Sequence, residues 1–158
     1  MIRLILGIVL LLGTFVVNSY RECRFDVNVA QNMKIATTAY TNGEAVDALG
    51  AAVYYLETTG RTSGNTAYID ATGGAVQEVA PWYRNLATLR SDLAKLPRDG
   101  QKSKDINRSL MKPGDQGKEV PVTPPGIEKY PYQVPSLLAY IVGIALAIWG
   151  FAVVGNKA

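Results

Sequence analysis

The sequence predicts an all-α protein in which two transmembrane helices flank an extracytoplasmic antiparallel helical bundle, with a Pro-rich extended segment before the second span. Three observations predict this class. The 158-residue chain begins and ends with long apolar runs, apolar residues recur at helical spacing between them, and six of the eight prolines fall within residues 113–135. The predicted divisions are a transmembrane helix continuing into the bundle at residues 1–19, the bundle at 20–112, the Pro-rich linker at 113–133 and the second transmembrane helix at 134–154.

The first apolar run, residues 2–17, is predicted to leave the bilayer as part of one long helix. Neither Gly nor Pro occurs between Phe15 and Asn42, and an apolar stripe of helical period continues beyond the charged residues. Arg21 and Arg24 fall where we expect the lipid headgroups. The stripe consists of Phe25, Val29, Met33, Ala36 and Tyr40.

A cleaved signal peptide is the alternative interpretation of the same run. Val17 and Ser19 form a small-residue cleavage pattern before Tyr20. We expect the run to be retained instead, because the helical pattern continues across that point without a break.

Three further amphipathic helices are predicted in the middle of the chain. The second helix begins with the capping-box spacing TNGE and ends at Gly60. The third lies between Pro81 and Pro97, and a shorter fourth covers residues 103–112. Their apolar positions are Val46, Leu49, Val53 and Leu56, then Trp82, Leu86, Leu89, Leu93 and Leu96, then Ile106 and Leu110.

Residues 60–74 are predicted to be the loop between the second and third helices, because Gly, Thr, Asn and Asp dominate their composition. Within this loop, Tyr68-Ile69 is a candidate for a short extended piece. Four amphipathic helices with short connections bury their apolar stripes most simply as an antiparallel bundle. An even number of passes also returns the chain to the membrane surface, where the second span begins.

The Pro-rich linker is predicted to be extended, at about 3.1 Å per residue, which makes it far longer than the gap it has to cross. Two interpretations of it remain open. It is either a slack tether, or a strap that lies along the bundle or along a neighbouring subunit.

The second apolar run, residues 134–154, contains no charged residue. As a helix it is about 30 Å long, the thickness of the hydrocarbon core of a bilayer. Ala139, Gly143 and Ala147 lie four residues apart on one face, and small residues at this spacing allow two helices to approach closely in lipid. We expect this face to pack against the first span or against another copy.

Composition excludes several function classes. The chain has no histidine and a single cysteine, which excludes histidine-based triads, HExxH zinc sites and CxxC pairs. The 13 acidic residues are spread singly, and the net charge of +3 is not gathered into a basic patch of the kind that binds nucleic acid. We therefore expect no enzyme, no catalytic residues, no cofactor, no metal and no nucleic-acid partner.

Cys23 lies just outside the first span and has two interpretations. It is either an inert small residue, or it forms an intermolecular disulfide with a second copy in an oxidising compartment.

The strings LGAAVYYLETTG, WYRNLATL, SLMKPG and PVTPPGIEKYP are similar to those of a group of small bacterial two-span membrane proteins. The likeness covers most of residues 32–131, and it implies neither an activity nor any site residues. In its layout the chain also resembles bacterial receptors with a periplasmic four-helix sensing module. Only four residues follow Val154, so we expect no output domain.

These observations predict a structural or accessory membrane protein that self-assembles, or joins a larger membrane complex, through its spans and its helical domain. The expected partners are the lipid bilayer, further copies and other membrane-protein subunits. The Lys and Arg counts around the spans give no clear orientation. The Thr-, Asn-, Gly- and Tyr-rich middle suits an extracytoplasmic domain on an integral protein of the bacterial inner membrane, with both termini inside.

The alternative is an extracytoplasmic ligand-binding or sensing module that acts through a partner. Residues 60–74 or the bundle core would then hold the ligand. Tyr54, Tyr55, Trp82 and Tyr83 are available as an aromatic lining.

Overall fold

A computed structural model describes residues 2–70, 73–101, 105–113 and 119–155 of the chain. The protein is mostly helical, and an apolar helix forms each end, as the sequence predicts. The elements are α1 (Ile2–Phe25), a π-helical turn (Asp26–Ala30), α2 (Gln31–Thr38), α3 (Asn42–Thr58), β1 (Asn65–Asp70), β2 (Gly73–Glu78), α4 (Val79–Ala94), α5 (Asp105–Leu110), β3 (Met111–Pro113), β4 (Glu119–Pro121) and α6 (Gln133–Gly155).

The first helix is continuous from Ile2 to Thr38, a length of 37 residues. At about 1.5 Å per residue it extends roughly 55 Å, nearly twice the hydrocarbon core of a bilayer. The π-helical turn interrupts its regular hydrogen bonding, since the Gln31 N–H donates to the Asp26 carbonyl five residues back. Beyond α1, one face of this helix is buried in the domain through Val29, Met33 and Ala36.

Helix α3 packs against both α2 and α4. A capping box starts α3: the Thr41 hydroxyl accepts from the Glu44 N–H, and the Glu44 carboxylate accepts from the Thr41 N–H. Gly60, with a φ of +70°, follows its last turn. The buried positions that these helices contribute include Ala45, Leu49, Ala52, Val53 and Leu56 of α3, and Val79, Leu86 and Leu93 of α4.

The described residues form two antiparallel β-hairpins, which the all-α prediction did not include. Strands β1 and β2 pair from Asn65↔Glu78 to Asp70↔Gly73, so most of the predicted loop at residues 60–74 is hairpin. The glycines and Asn that suggested a loop lie at the strand ends and beside β-favouring residues such as Thr66. The second hairpin pairs Met111↔Pro121 through Pro113↔Glu119.

The predicted fourth helix is also shorter than expected. Helix α5 has six residues, about 9 Å of helix, and the chain enters β3 directly after Leu110 because Met111 pairs with Pro121. The domain therefore contains three long helical passes, made by α2, α3 and α4. The return to the second apolar helix is made by α5, the second hairpin and residues 122–132.

The returning segment contributes to the same core as the three helices. Its fully buried apolar side chains are Ile106, Leu110 and Ile127. Together with Phe25 and the buried positions of α2, α3 and α4, they form one contiguous apolar cluster. The described residues between α4 and α6 are therefore part of the folded domain.

Candidate functional site: the junction of the two chain ends

The two apolar helices, α1 and α6, pack so closely that their backbones are in contact. A Cβ atom added to Gly7 would lie 2.8 Å from the Ala147 nitrogen and 2.9 Å from the Gly143 oxygen, and one added to Gly150 would lie 2.7 Å from the Leu4 nitrogen. Real Cβ atoms do not approach backbone atoms this closely, so these positions require glycine. Close backbone approach at small residues is the usual packing mode of helices in lipid.

The three small residues singled out in the sequence lie on the side of α6 that faces α1. A Cβ on Gly143 would meet the Leu11 side chain at 2.8 Å, the Ala147 backbone lies over Gly7, and Ala139 lines a groove between the helices. Sequence reasoning missed Gly7 and Gly150. Their signal was weak, since only the seven-residue spacing from Gly143 to Gly150 repeats a helical face.

Arginine–aromatic pairs mark both ends of the paired helices. The Arg3 guanidinium lies 4.3 Å from the centre of the Trp149 ring, and the Arg21 guanidinium lies 4.1 Å from that of Tyr132. From Arg3 to Arg21 the helix rises about 27 Å, close to the hydrocarbon thickness of a bilayer. Arg, Trp and Tyr are the residues expected at the two interfaces.

A polar contact fixes the register of the helices near the domain. The Ser136 hydroxyl donates to the Asn18 side-chain oxygen at 3.0 Å, and Asn18 is buried. From Gly7 to Asn18 and from Ala147 back to Ser136 the chain covers the same number of residues, so the helices run antiparallel in step. A buried polar side chain without this partner would be costly in an apolar environment.

An ion pair lies beside this contact, a few residues before α6 begins. The Lys129 ammonium lies 3.1 Å from the Glu22 carboxylate, with both side chains about half exposed. The pKa of Lys129 is raised above its ordinary value, first because its ammonium donates a hydrogen bond to Glu22 and also through the charge of Glu22, while burial acts in the opposite direction. This pair joins α1 to the segment that leads into α6.

A buried arginine holds the returning segment against the helical domain. Arg61 is 3% exposed, and its guanidinium donates to the Tyr130 carbonyl at 2.8 Å and to the Glu128 carbonyl at 3.0 Å. It also donates to the hydroxyls of Tyr55, at 3.1 Å, and Thr59, at 3.3 Å. The planar, five-donor guanidinium suits this set of acceptors, because they lie in several directions.

Aromatic rings complete the surroundings of Arg61. The centres of the Phe25 and Tyr55 rings lie 5.7 and 5.5 Å from its guanidinium carbon. Cation–π contacts at such distances favour a desolvated cation. Phe25 is the last residue of α1 and precedes the π-helical turn, so one side chain connects α1, the end of α3 and the returning segment.

In its described part, the Pro-rich segment makes further contacts with the helical domain. The Trp82 indole donates to the Val122 carbonyl at 2.7 Å, and the Val122 N–H donates to the Leu110 carbonyl at 2.8 Å. Pro124 and Ile127 are fully buried. Residues 121–132 thus lie on the domain of the same chain, and residues 114–118 of the predicted linker lie outside the described part.

The four aromatic residues considered as a ligand lining do not converge on one cavity. Tyr54 is 68% exposed, Tyr55 binds Arg61 and Trp82 binds the returning segment. The Tyr83 hydroxyl donates to the Glu57 carboxylate at 2.6 Å. That hydrogen bond raises the pKa of Tyr83, since ionisation would remove the donated proton and bring two negative charges together.

Cys23 is an exposed free thiol on α1. It follows Glu22 in the sequence, and its side chain is exposed. Among the described residues, no cluster of three or more His, Cys, Asp or Glu side chains could hold a metal ion.

Replacing Gly7 with Ala should weaken the pairing of the two apolar helices. The new methyl group would meet backbone atoms of α6, which can only move if the helices separate, and we expect a loss of about 1–3 kcal/mol in unfolding free energy. Gly13→Ala is the matched control, because a Cβ there meets nothing within 4 Å. Thermal unfolding of the full chain in detergent would measure both, and equal stability of the two variants would contradict the close packing.

Replacing Arg61 with Met should release the returning segment. Two partly buried carbonyl groups lose their donor, at up to about 1–3 kcal/mol each, so amide hydrogen exchange at Ile127, Tyr130 and Tyr132 should become faster. Arg98→Met is the control, because Arg98 pairs with Asp47 on the surface and exposed pairs contribute about 0–1 kcal/mol. Unchanged exchange in the Arg61 variant would show that other contacts hold the segment.

Alkaline pH should abolish the contribution of the Lys129–Glu22 pair. Because the pKa of Lys129 is raised in the folded state, its contribution is complete below the unfolded value of 10.5 and is lost as pH rises through the folded value. The melting temperature of the parent protein should therefore exceed that of Lys129→Gln by a constant margin up to about pH 10 and converge with it above that. A margin that does not shrink as pH rises above 10.5 would rule out the ion pair as its source.

No family model, curated protein or solved structure matches this chain. The geometry of the junction between the chain ends and the helical domain is therefore the basis for a functional proposal.

Proposed function

We propose that this is a structural or accessory membrane protein, which holds a small helical domain at a bilayer surface and assembles with further copies or with other membrane-protein subunits. The observation that carries the proposal is the continuous junction from the Gly7–Ala147 contact to the Arg61–Tyr130 hydrogen bond. It fastens the domain to the two apolar helices at both of its ends.

A double attachment has a mechanical consequence. A domain on one flexible anchor rotates freely, whereas a domain fixed through two packed helices keeps one orientation to the membrane plane. Such a domain presents the same surface to every neighbour in the bilayer. This property favours a building unit or an accessory subunit.

The surfaces of the paired helices that face away from each other are apolar and available to lipid or to partner spans. They would be unsuited to water, since an exposed apolar surface of this extent on a soluble monomer is rare. The large exposed side chains include Ile5, Leu12, Phe15 and Val16 on α1 and Leu137, Ile141, Ile144, Ile148 and Phe151 on α6.

For the topology we propose two retained spans, both termini inside and an extracytoplasmic domain on a bacterial inner membrane protein. The antiparallel packing of α1 on α6 supports two termini on one side of the membrane. The contacts of Gly7 and Asn18 with α6 support retention of the first span, because cleavage before Tyr20 would remove both residues.

A second candidate function is a ligand-binding or sensing module that acts through a partner. The π-helical turn at Asp26–Ala30 favours it, because such turns occur often at functional sites and this one lies between the apolar helix and the domain. Binding in the domain would then shift α1 through the turn. A melting-temperature screen against a metabolite panel tests this, and the absence of any shift would count against it.

Mild extraction of the full-length protein, followed by sizing, tests the assembly. We expect a particle larger than one chain with its detergent.

We also propose that Cys23 links two copies. Because Cys23 is exposed, a mild thiol oxidant should take two electrons and two protons from two such thiols and yield a dimer on non-reducing electrophoresis. Cys23→Ser is the control for the cross-link. A monomer by sizing, with no cross-link, would contradict the proposal.

A further inference from the structure

A groove of about 410 Å³ runs between the two apolar helices on one side of their contact. We call it the span groove. It is open along its length, because the lining residues Leu6, Val9, Gly13 and Val17 of α1 are exposed. Its volume lies in the range of small-ligand sites.

Polar groups lie at one end of the span groove only. Asn18, Ser136, Tyr132 and Arg21 line the end next to the domain, and the remaining lining is apolar apart from the Thr14 hydroxyl. That hydroxyl is already engaged, since it donates to the Leu10 carbonyl of its own helix at 2.8 Å. The groove thus has the polarity of an amphiphile, with one polar end and a long apolar body.

Arg21 is held in a position to bind an anion. Its guanidinium carbon lies 4.1 Å from the centre of the Tyr132 ring, an electrostatic contact that does not use the N–H groups as hydrogen-bond donors. Within the described part of the chain no carboxylate forms an ion pair with it, and the neighbouring Glu22 pairs with Lys129 instead. A planar guanidinium with free edges is well suited to a phosphate.

The dimensions of the groove fit a hydrocarbon chain better than a helix. On α1 the lining extends from Leu6 to Arg21, about 22 Å of helix, which is more than the depth of one leaflet of about 15 Å. On the α6 side the lining extends only from Tyr132 to Ala139, about 10 Å of helix, which is much shorter than a membrane-spanning helix of about 30 Å.

We propose that the span groove binds one acyl chain of an anionic phospholipid from the leaflet next to the domain, with the lipid phosphate on Arg21. This inference rests on the proposed membrane location and is independent of assembly. A bound lipid of this kind would fill the space between the helices and join the Arg21–Tyr132 pair to the headgroup layer.

The test uses the full-length protein in phosphatidylcholine vesicles that contain a phosphatidylglycerol analogue with a photoreactive acyl chain. We expect labelling of peptides that contain Gly13 or Ala139, with unlabelled phosphatidylglycerol competing better than phosphatidylcholine. Gly13→Leu should fill the groove and reduce labelling severalfold, since its Cβ position is open. Val16→Leu, on an exposed face outside the groove lining, is the matched control.

A pair of arginine variants tests the headgroup site. Arg21→Gln should reduce the preference for phosphatidylglycerol about tenfold, whereas Arg24→Gln, three residues further along and outside the groove, should reduce it no more than the roughly fivefold effect of a basic residue near an anionic surface. Equal losses in both variants would overturn the inference in favour of general surface attraction.

Two further outcomes would also overturn it. Labelling that Gly13→Leu leaves unchanged would show that the lipid lies elsewhere. A Gly13→Leu variant with altered particle size and unaltered labelling would show that a second copy occupies the groove. Carbonate extraction of the same membranes separates these results from failure of the proposed function: a protein released by carbonate contradicts the membrane location itself, whereas a retained but unlabelled protein contradicts only the lipid site.

Discussion

Backbone contact between the first and last helices constrains the rest of this molecule. At Gly7 and Gly150 no side chain fits between α1 and α6, so the two backbones are in direct contact at these positions. The Asn18–Ser136 hydrogen bond then fixes the register. Because the chain leaves the paired helices on α1 and must rejoin them on α6, the intervening domain has to begin and end within about one helix diameter.

The domain meets this constraint with an odd number of long helices. After three passes through α2, α3 and α4, the chain lies at the end of the domain far from α1. At this end the Asn42 N–H, at the start of α3, donates to the Gly100 carbonyl after α4. The way back is made by the six-residue helix α5, the second hairpin and residues 122–132, in which the chain turns at residues 125–131 instead of staying extended.

Periodicity predicted the helices well, because burial of an apolar stripe such as Leu49, Val53 and Leu56 leaves a local repeat in the sequence. The first hairpin was missed because its Gly and Asn residues have the composition of a loop, and strand pairing depends on a partner that composition does not reveal. Gly7, Gly150 and Arg61 were also missed. Their roles arise from contacts with residues far along the chain, and an arginine destined for burial looks like a surface arginine in the sequence.

Because Arg61 is buried, docking of the returning segment is coupled to folding of the helical domain. Moving a cation out of water is costly, and here the cost is offset by carbonyl groups of Glu128 and Tyr130 and by two aromatic rings. If the segment left, the guanidinium would lose both carbonyls while Phe25 and Tyr55 still covered it, so partial release is less favourable than either end state. Arg61 therefore couples release of residues 128–130 to exposure of the end of α3 and of Phe25, the last residue of α1.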